Sequence, residues 1–142
     1  SLLYVKDIQI EYWDTTKKNH NTKWKSVLNE VFPDQKEILV DWMTGLLVLP
    51  CGKVVNYVHM GYGSTYENYI LLEIYSGRRK KENHYDYKEY EEFKERQFQA
   101  YKQTEEYKQI KEELQKDGSS DEFIDSFLRD FVTDYTTKIL TE

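Results

Sequence analysis

The chain has 142 residues, of which 39% are hydrophobic, 15% aromatic and 32% charged. That is the length of one domain able to bury a sizeable core, and the aromatic share excludes a disordered chain. The 20 basic and 26 acidic residues leave a net charge of −6, which disfavours nonspecific nucleic-acid binding because that needs a basic footprint.

In chain order, "LLYVKDIQIEYW" mixes β-branched and aromatic residues with polar ones and predicts a first strand. "TTKKNHNT" is polar and predicts a loop. In "NTKWKSVLNEVFPD", Asn21 or Thr22 caps a short helix over about 22–32. Trp24, Val27, Leu28 and Val31 then share one face, and Pro33 ends the helix. "KEILVDWMTGLLVL" follows, with Gly45 at a bulge or bend, and "LPCGK" predicts a turn at Pro50 and Gly52. "KVVNYVHM" and "NYILLEIY" predict antiparallel strands, Ser76-Gly77 a hairpin turn, and "RRKKENHY" a strand whose bases guard an edge.

From Tyr85 the helical period takes over. No Pro or Gly interrupts the run until Gly118. Its apolar stripe points two ways: Tyr87, Tyr90, Phe98 and Tyr101 cluster on one face, and Tyr107, Ile110 and Leu114 lie nearly opposite. A kink or break near Thr104, which would cap a second segment, reconciles them. Gly118 stops the helix, and Ser119 with Glu122 forms a capping box for the next. That helix carries a stripe from Phe123 and Ile124 through Phe127, Leu128, Phe131 and Val132 to Tyr135, read as core. The fold class is therefore α+β: an antiparallel β-meander of about four to five strands, the short N-terminal helix, and a C-terminal two-helix hairpin. We take it as a single domain over 1–142, sheet-rich over 1–84 and helical over 85–142.

Metal chemistry is poorly supported, because His20, His59 and His84 are isolated and Cys51 is the only cysteine. The single cysteine also rules out an intrachain disulfide. Ser64 sits in "GYGSTY", not in a nucleophile elbow, and no phosphate loop is present. The expected metal and cofactor complement is none. The stretch "YVHMGYGSTYENY" reads in two ways. It is a hairpin loop over 60–68 turned by a positive φ at Gly61 or Gly63, or a small reaction loop in which His59, Tyr62 and Glu67 act as acid and base.

Tyr90, Arg96 and Tyr101 are the candidate binding residues, because interface anchors are rich in Tyr, Trp and Arg. The favoured role is a small acidic, non-catalytic protein-binding domain; bacterial immunity proteins and other inhibitors share this size and charge. The alternatives are a small enzyme or ligand binder using the His59–Glu67 loop, and a structural domain of a larger secreted or phage protein. The expected partner is another protein. No apolar run approaches a membrane span. The composition favours a cytoplasmic home, and an extracytoplasmic one stays open because the chain opens at Ser1 and not Met, leaving room for a removed leader.

Overall fold

The structure is a computed structural model that describes residues 1–13, 16, 22–59 and 63–135. His20, Asn21, Gly61 and Tyr62 lie outside the described residues. The fold is mixed α+β with antiparallel sheets, and it gathers into two compact units. The first comprises Ser1–Thr44 and Tyr75–Arg79, the second Gly45–Ile74 and Lys80–Glu142. The long strands thus group with the helices, and the units do not follow the expected division at 84/85.

In the first unit, β1 (Tyr4–Val5) pairs with β4 (Ile38–Leu39), and β2 (Gln9–Trp13) pairs with β3 (Thr22–Ser26). The expected single first strand is broken between Val5 and Gln9. Asp7 supplies the reason: its carboxylate accepts from the Ile8 amide at 2.9 Å, Gln9 Nε2 at 2.8 Å and Ser26 Oγ at 2.5 Å. Such local side-chain bonds compete with ladder formation. The predicted helix over 22–32 is also corrected. Only one turn, α1 (Leu28–Val31), is helical, while Thr22–Ser26 is strand. "TKWKS" alternates with period two and carries β-favouring Thr and Trp, so it fits a strand once β2 offers a ladder. Val27 and Leu28 are buried with Ile38 and Val40, whereas Trp24 and Val31 face water.

The Ser76-Gly77 turn forms as expected. Both residues have positive φ, 44° and 69°, the signature of a two-residue hairpin turn whose twist matches its strands. Gly77 is enclosed. Its amide donates to Met43 O at 2.9 Å, and its carbonyl accepts from the Leu3 amide at 2.8 Å. A Cβ there would lie 2.5 Å from Val40 O.

The three-stranded sheet, all of it but Tyr75, Arg78 and Arg79 in the second unit, has β5 (Gly45–Asn56), β6 (Thr65–Tyr75) and β7 (Arg78–Asp86) in the order β5-β6-β7. The meander thus has three strands, fewer than expected. "LPCGK" is not a turn but an irregularity inside β5. The register shifts between Cys51 and Val54, and Gly52 takes φ +80°. Pro50 is tolerated because β5 is an edge strand, where a missing donor interrupts no central ladder. The predicted loop over 60–68 ends early, since Thr65 already belongs to β6, and Gly63 lacks a positive φ.

The helices are α2 (Tyr87–Tyr101), α3 (Glu105–Lys116), α4 (Asp121–Asp130) and the one-turn α5 (Val132–Tyr135). Asp86 and Glu89 form a full capping box at the start of α2. The break expected near Thr104 is present, and the Thr104 hydroxyl accepts from the Tyr107 amide at 3.2 Å. Gly118, at φ +89°, ends α3 in a Schellman motif: Ser119 N donates to Leu114 O and Gly118 N to Gln115 O. The cap of α4 is Ser120, one residue later than expected, so Glu122 is not placed to close a box. Two clusters make the core of this unit. Tyr69, Leu71, Tyr90 and Phe93 join β6 to α2. Phe98, Tyr101, Tyr107, Ile124, Leu128 and Val132 join the helices.

The stripe on α4 divides. Ile124, Leu128 and Val132 are fully buried, Phe127 is half-buried, and Phe123 and Phe131 are 58% and 38% exposed. Leu128→Ala is therefore expected to cost about 2–5 kcal/mol, and Phe123→Ala less than about 1 kcal/mol. Equal denaturation midpoints for the two variants would contradict this packing. Gly77→Ala and Gly118→Ala form a second pair. Both require positive φ, but a Cβ at Gly118 meets nothing within 4 Å. Gly118→Ala should cost about 1–2 kcal/mol of backbone strain. Gly77→Ala should cost more than about 2 kcal/mol, because the carbonyl of Val40 must also move. Urea melts giving both the same loss would refute the close approach at Gly77.

Candidate functional site

The stretch read as a possible reaction loop is held by its own local bonds. The Ser64 hydroxyl accepts from the Val58 amide at 3.0 Å and donates to the Val58 carbonyl at 3.2 Å, closing the segment. His59 is exposed, and its Nδ1 meets the Tyr57 hydroxyl at 3.1 Å. Glu67 Oε2 accepts from the Lys53 amide at 2.9 Å, so this carboxylate secures the β5 irregularity. Gly52 stands at φ +80°, which favours glycine, and a Cβ there would also press on the Glu67 side chain. His59 and Glu67 are each engaged elsewhere and do not bond each other. Tyr62, the third member, lies outside the described residues.

The three expected anchors also separate. Arg96 is exposed on α2. Tyr90 and Tyr101 are only 8% and 3% exposed, so they are core residues and not surface anchors. Tyr90 stacks on Tyr69 with ring centroids 4.0 Å apart, and Tyr101 meets Tyr107 edge-on at 5.8 Å. Their hydroxyl-bearing neighbours find partners inside the fold. The Tyr69 hydroxyl accepts from the Tyr66 amide at 2.9 Å, and the Tyr107 hydroxyl donates to Asp125 at 2.6 Å.

What the fold does build is a cleft of about 900 Å³ in the second unit. Leu46 and Val48 of β5, Tyr66 of β6, and Tyr87, Glu91 and Lys94 of α2 contribute to its lining. Its charged wall is a network. Lys94, a buried cation, pairs with Glu91 at 2.7 Å. Glu91 also receives Arg129 of α4 at 3.0 Å, and Arg129 continues to Glu95 and Asp130, each at 2.9 Å. A buried cation without a partner would be costly, so Glu91 is a structural requirement of Lys94. Burial works to raise the Glu91 carboxyl, but the hydrogen bonds and charges of Lys94 and Arg129 outweigh it and hold it below the ordinary carboxylate value. Burial likewise works to lower the Arg129 guanidinium, and Glu91 and Glu95 reverse that and raise it.

These charges brace α4 against α2. Among the described residues, no group of three or more His, Cys, Asp or Glu could hold a metal ion, and no helix is long and apolar enough to cross a membrane. The network was partly legible beforehand: Glu91 and Lys94 stand three apart on a helix, a spacing that pairs side chains. The reach of Arg129 from another helix had no local signal. Compared with protein-family models, curated proteins and solved structures, the chain matches none.

The brace makes stability depend on acid. Because Glu91 titrates below its unfolded value, its contribution is fully present above the ordinary glutamate range and is lost as pH falls through the depressed folded value. Thermal melts of the parent should therefore lose stability on acidification more steeply than those of Glu91→Gln, which should start less stable at pH 7. Parallel pH profiles for the two proteins would show that Glu91 is not the linked group.

Proposed function

We propose that the chain is a small acidic, non-catalytic protein-binding domain, of the inhibitor or immunity-protein kind, whose target is a basic protein surface. One observation carries this reading: the aromatic row on α4. Phe123, Phe127 and the C-cap residue Phe131 recur every fourth residue; Phe123 stacks on Phe127 and Phe131 meets Phe127 at a tilt, with centroids 6.2 and 5.0 Å apart. The row's outer members stay exposed while Ile124, Leu128 and Val132 beside it supply the core contact. Folding the domain does not require rings in water, whereas interface cores are enriched in aromatic residues. The net charge of −6 complements a basic target and would steer its approach. Catalysis through His59 and Glu67 draws no support from their bonds, which are local and structural.

The experiment begins with an affinity pull-down from the source cell and identification of the partner by mass. Calorimetry then compares the parent with Phe123→Ala, Phe131→Ala and His59→Ala. Each Phe variant should melt like the parent and lose about 2 kcal/mol of affinity, roughly 30-fold. His59→Ala should bind like the parent, and parent affinity should weaken with added salt. Unchanged binding in both Phe variants would sink the role of this row, and a catalytic turnover abolished by His59→Ala would replace the reading with the enzymatic one.

A further inference from the structure

The cleft of about 900 Å³ in the second unit meets the α4 row at Phe131, which lines it. Its rings divide into two groups. Tyr69 and Tyr90 are buried against each other at 4.0 Å, and the Lys94 ammonium already sits 5.3 Å from the Tyr90 ring centre. The others come from three separate elements and keep open surface. Tyr66 of β6 is half-buried, and Tyr87 of α2 and Phe131 at the C-cap of α4 are each 38% exposed. The wall also carries two unmet demands. The Thr65 hydroxyl is buried and has no hydrogen-bond partner among the described residues, a state that costs stability. The charges do not balance either: Glu91, Glu95 and Asp130 are three carboxylates linked to only two cations, Lys94 and Arg129. Asp130, which lines the cleft, is the most open of the three, and its carboxylate bonds only Arg129 among the described residues. It stands in the last turn of α4, where the helix dipole disfavours a carboxylate and favours a cation.

We propose that this cleft receives an arginine side chain of the target protein, its guanidinium lying on the open rings and paired with Asp130. The inference rests on the protein-binding reading above and adds to it the residue type recognised. Phe131 belongs to both features, so a target lying on the row reaches the cleft without needing a second surface. A cation over a tyrosine or phenylalanine face is attracted by the ring, and more strongly once water is excluded. The guanidinium suits the walls better than an ammonium does. It is planar, it is more weakly hydrated, and its five donors can fork onto Asp130 and still leave an N–H for the Thr65 hydroxyl. The added charge sets three cations against three carboxylates. A neutral ring would fill the apolar wall of Leu46 and Val48 but leave Asp130 and Thr65 as they are.

The test uses the full chain and a probe in place of the target: N-acetyl-arginine amide, followed by backbone amide NMR shifts. A single side chain should bind with a Kd on the order of 1 mM and move the signals of Tyr66, Tyr87, Asp130 and Phe131 to saturation. N-acetyl-citrulline amide keeps the shape and loses the charge; N-acetyl-lysine amide keeps the charge and loses the plane. Each should bind at least about fivefold more weakly. Asp130→Asn should weaken the arginine probe about tenfold and Tyr87→Ala about threefold. Both side chains are exposed, so circular dichroism should show the fold retained. An arginine probe that saturates none of these signals overturns the proposal, as does a citrulline probe that binds as tightly, or Asp130→Asn binding like the parent. Equal affinity for the lysine probe overturns the choice of guanidinium. Phe123→Ala, outside the cleft, should bind the probe like the parent, which separates this inference from the row. A probe that fails while Phe123→Ala still loses target affinity removes the cleft and leaves the row. A probe that binds while both Phe variants keep the target removes the row and leaves the cleft.

Discussion

Helix α2 belongs to two cores at once, and the arrangement of the second unit follows from that. Its first turns give Tyr90 and Phe93 to the cluster on β6, and its last turns give Phe98 and Tyr101 to the cluster with α3 and α4. A straight continuation would carry Tyr107 and Ile110 away from the second cluster. The chain instead ends the helix at Tyr101, turns over three residues, and restarts under the Thr104 cap. Breaking the helix loses a few backbone bonds, but burying large apolar side chains at roughly 1.5–3 kcal/mol each outweighs that loss. Arg129 then ties α4 to α2 through Glu91 and Glu95, so the helix serving both clusters is also the one the charges hold.

The parts of this fold legible in the sequence were those written in local chemistry. Gly118 after a long helical run, Thr104 where the apolar stripe changed direction, and Ser76-Gly77 between two β-rich runs each specify a backbone geometry by themselves. The parts that escaped depend on partners distant in sequence. "NTKWKSVLNEV" satisfies both a helical and an alternating pattern, and only the presence of β2 selects the strand for Thr22–Ser26. Pro50 and Gly52 are strong turn formers, yet β6 continues alongside them and pairs Pro50 with Tyr69, so the same residues make a bulge in one long strand.

The candidate site was less legible, for a reason that lies in tyrosine. A tyrosine is as apolar as a phenylalanine over most of its surface, and its hydroxyl decides whether it can go inside. Residue type alone points to half-wet interfaces. Here the partners are supplied within the unit: the Tyr66 amide of the same strand for Tyr69, and Asp125 of α4 with Lys111 of α3 itself for Tyr107. Against these two rings the α2 tyrosines Tyr90 and Tyr101 are buried as core. The converse holds on α4. Seven apolar positions were read as one buried stripe, but among those whose burial is described, Ile124, Leu128 and Val132 are fully buried, Phe127 packs half-buried against the same cluster, and Phe123 and Phe131 stay exposed. The width of an apolar stripe can be read from sequence; the width of the groove that receives it cannot.

Charge shows the same division between what is local and what is assembled. Many acids and bases interleave along the helical half as solvated pairs, such as Lys88 with Glu92 and Lys108 with Glu105. Exposed pairs of that kind contribute little to stability. Lys94 differs only in being covered. Once Tyr90 and the cleft wall enclose its ammonium, the pairing with Glu91 changes from a weak surface contact into a condition for folding α2 where it lies. The lysine that looks like its neighbours in sequence is thus the one whose partner cannot be removed cheaply. Covering, not residue type, separates the charges that shape this unit from those that decorate it.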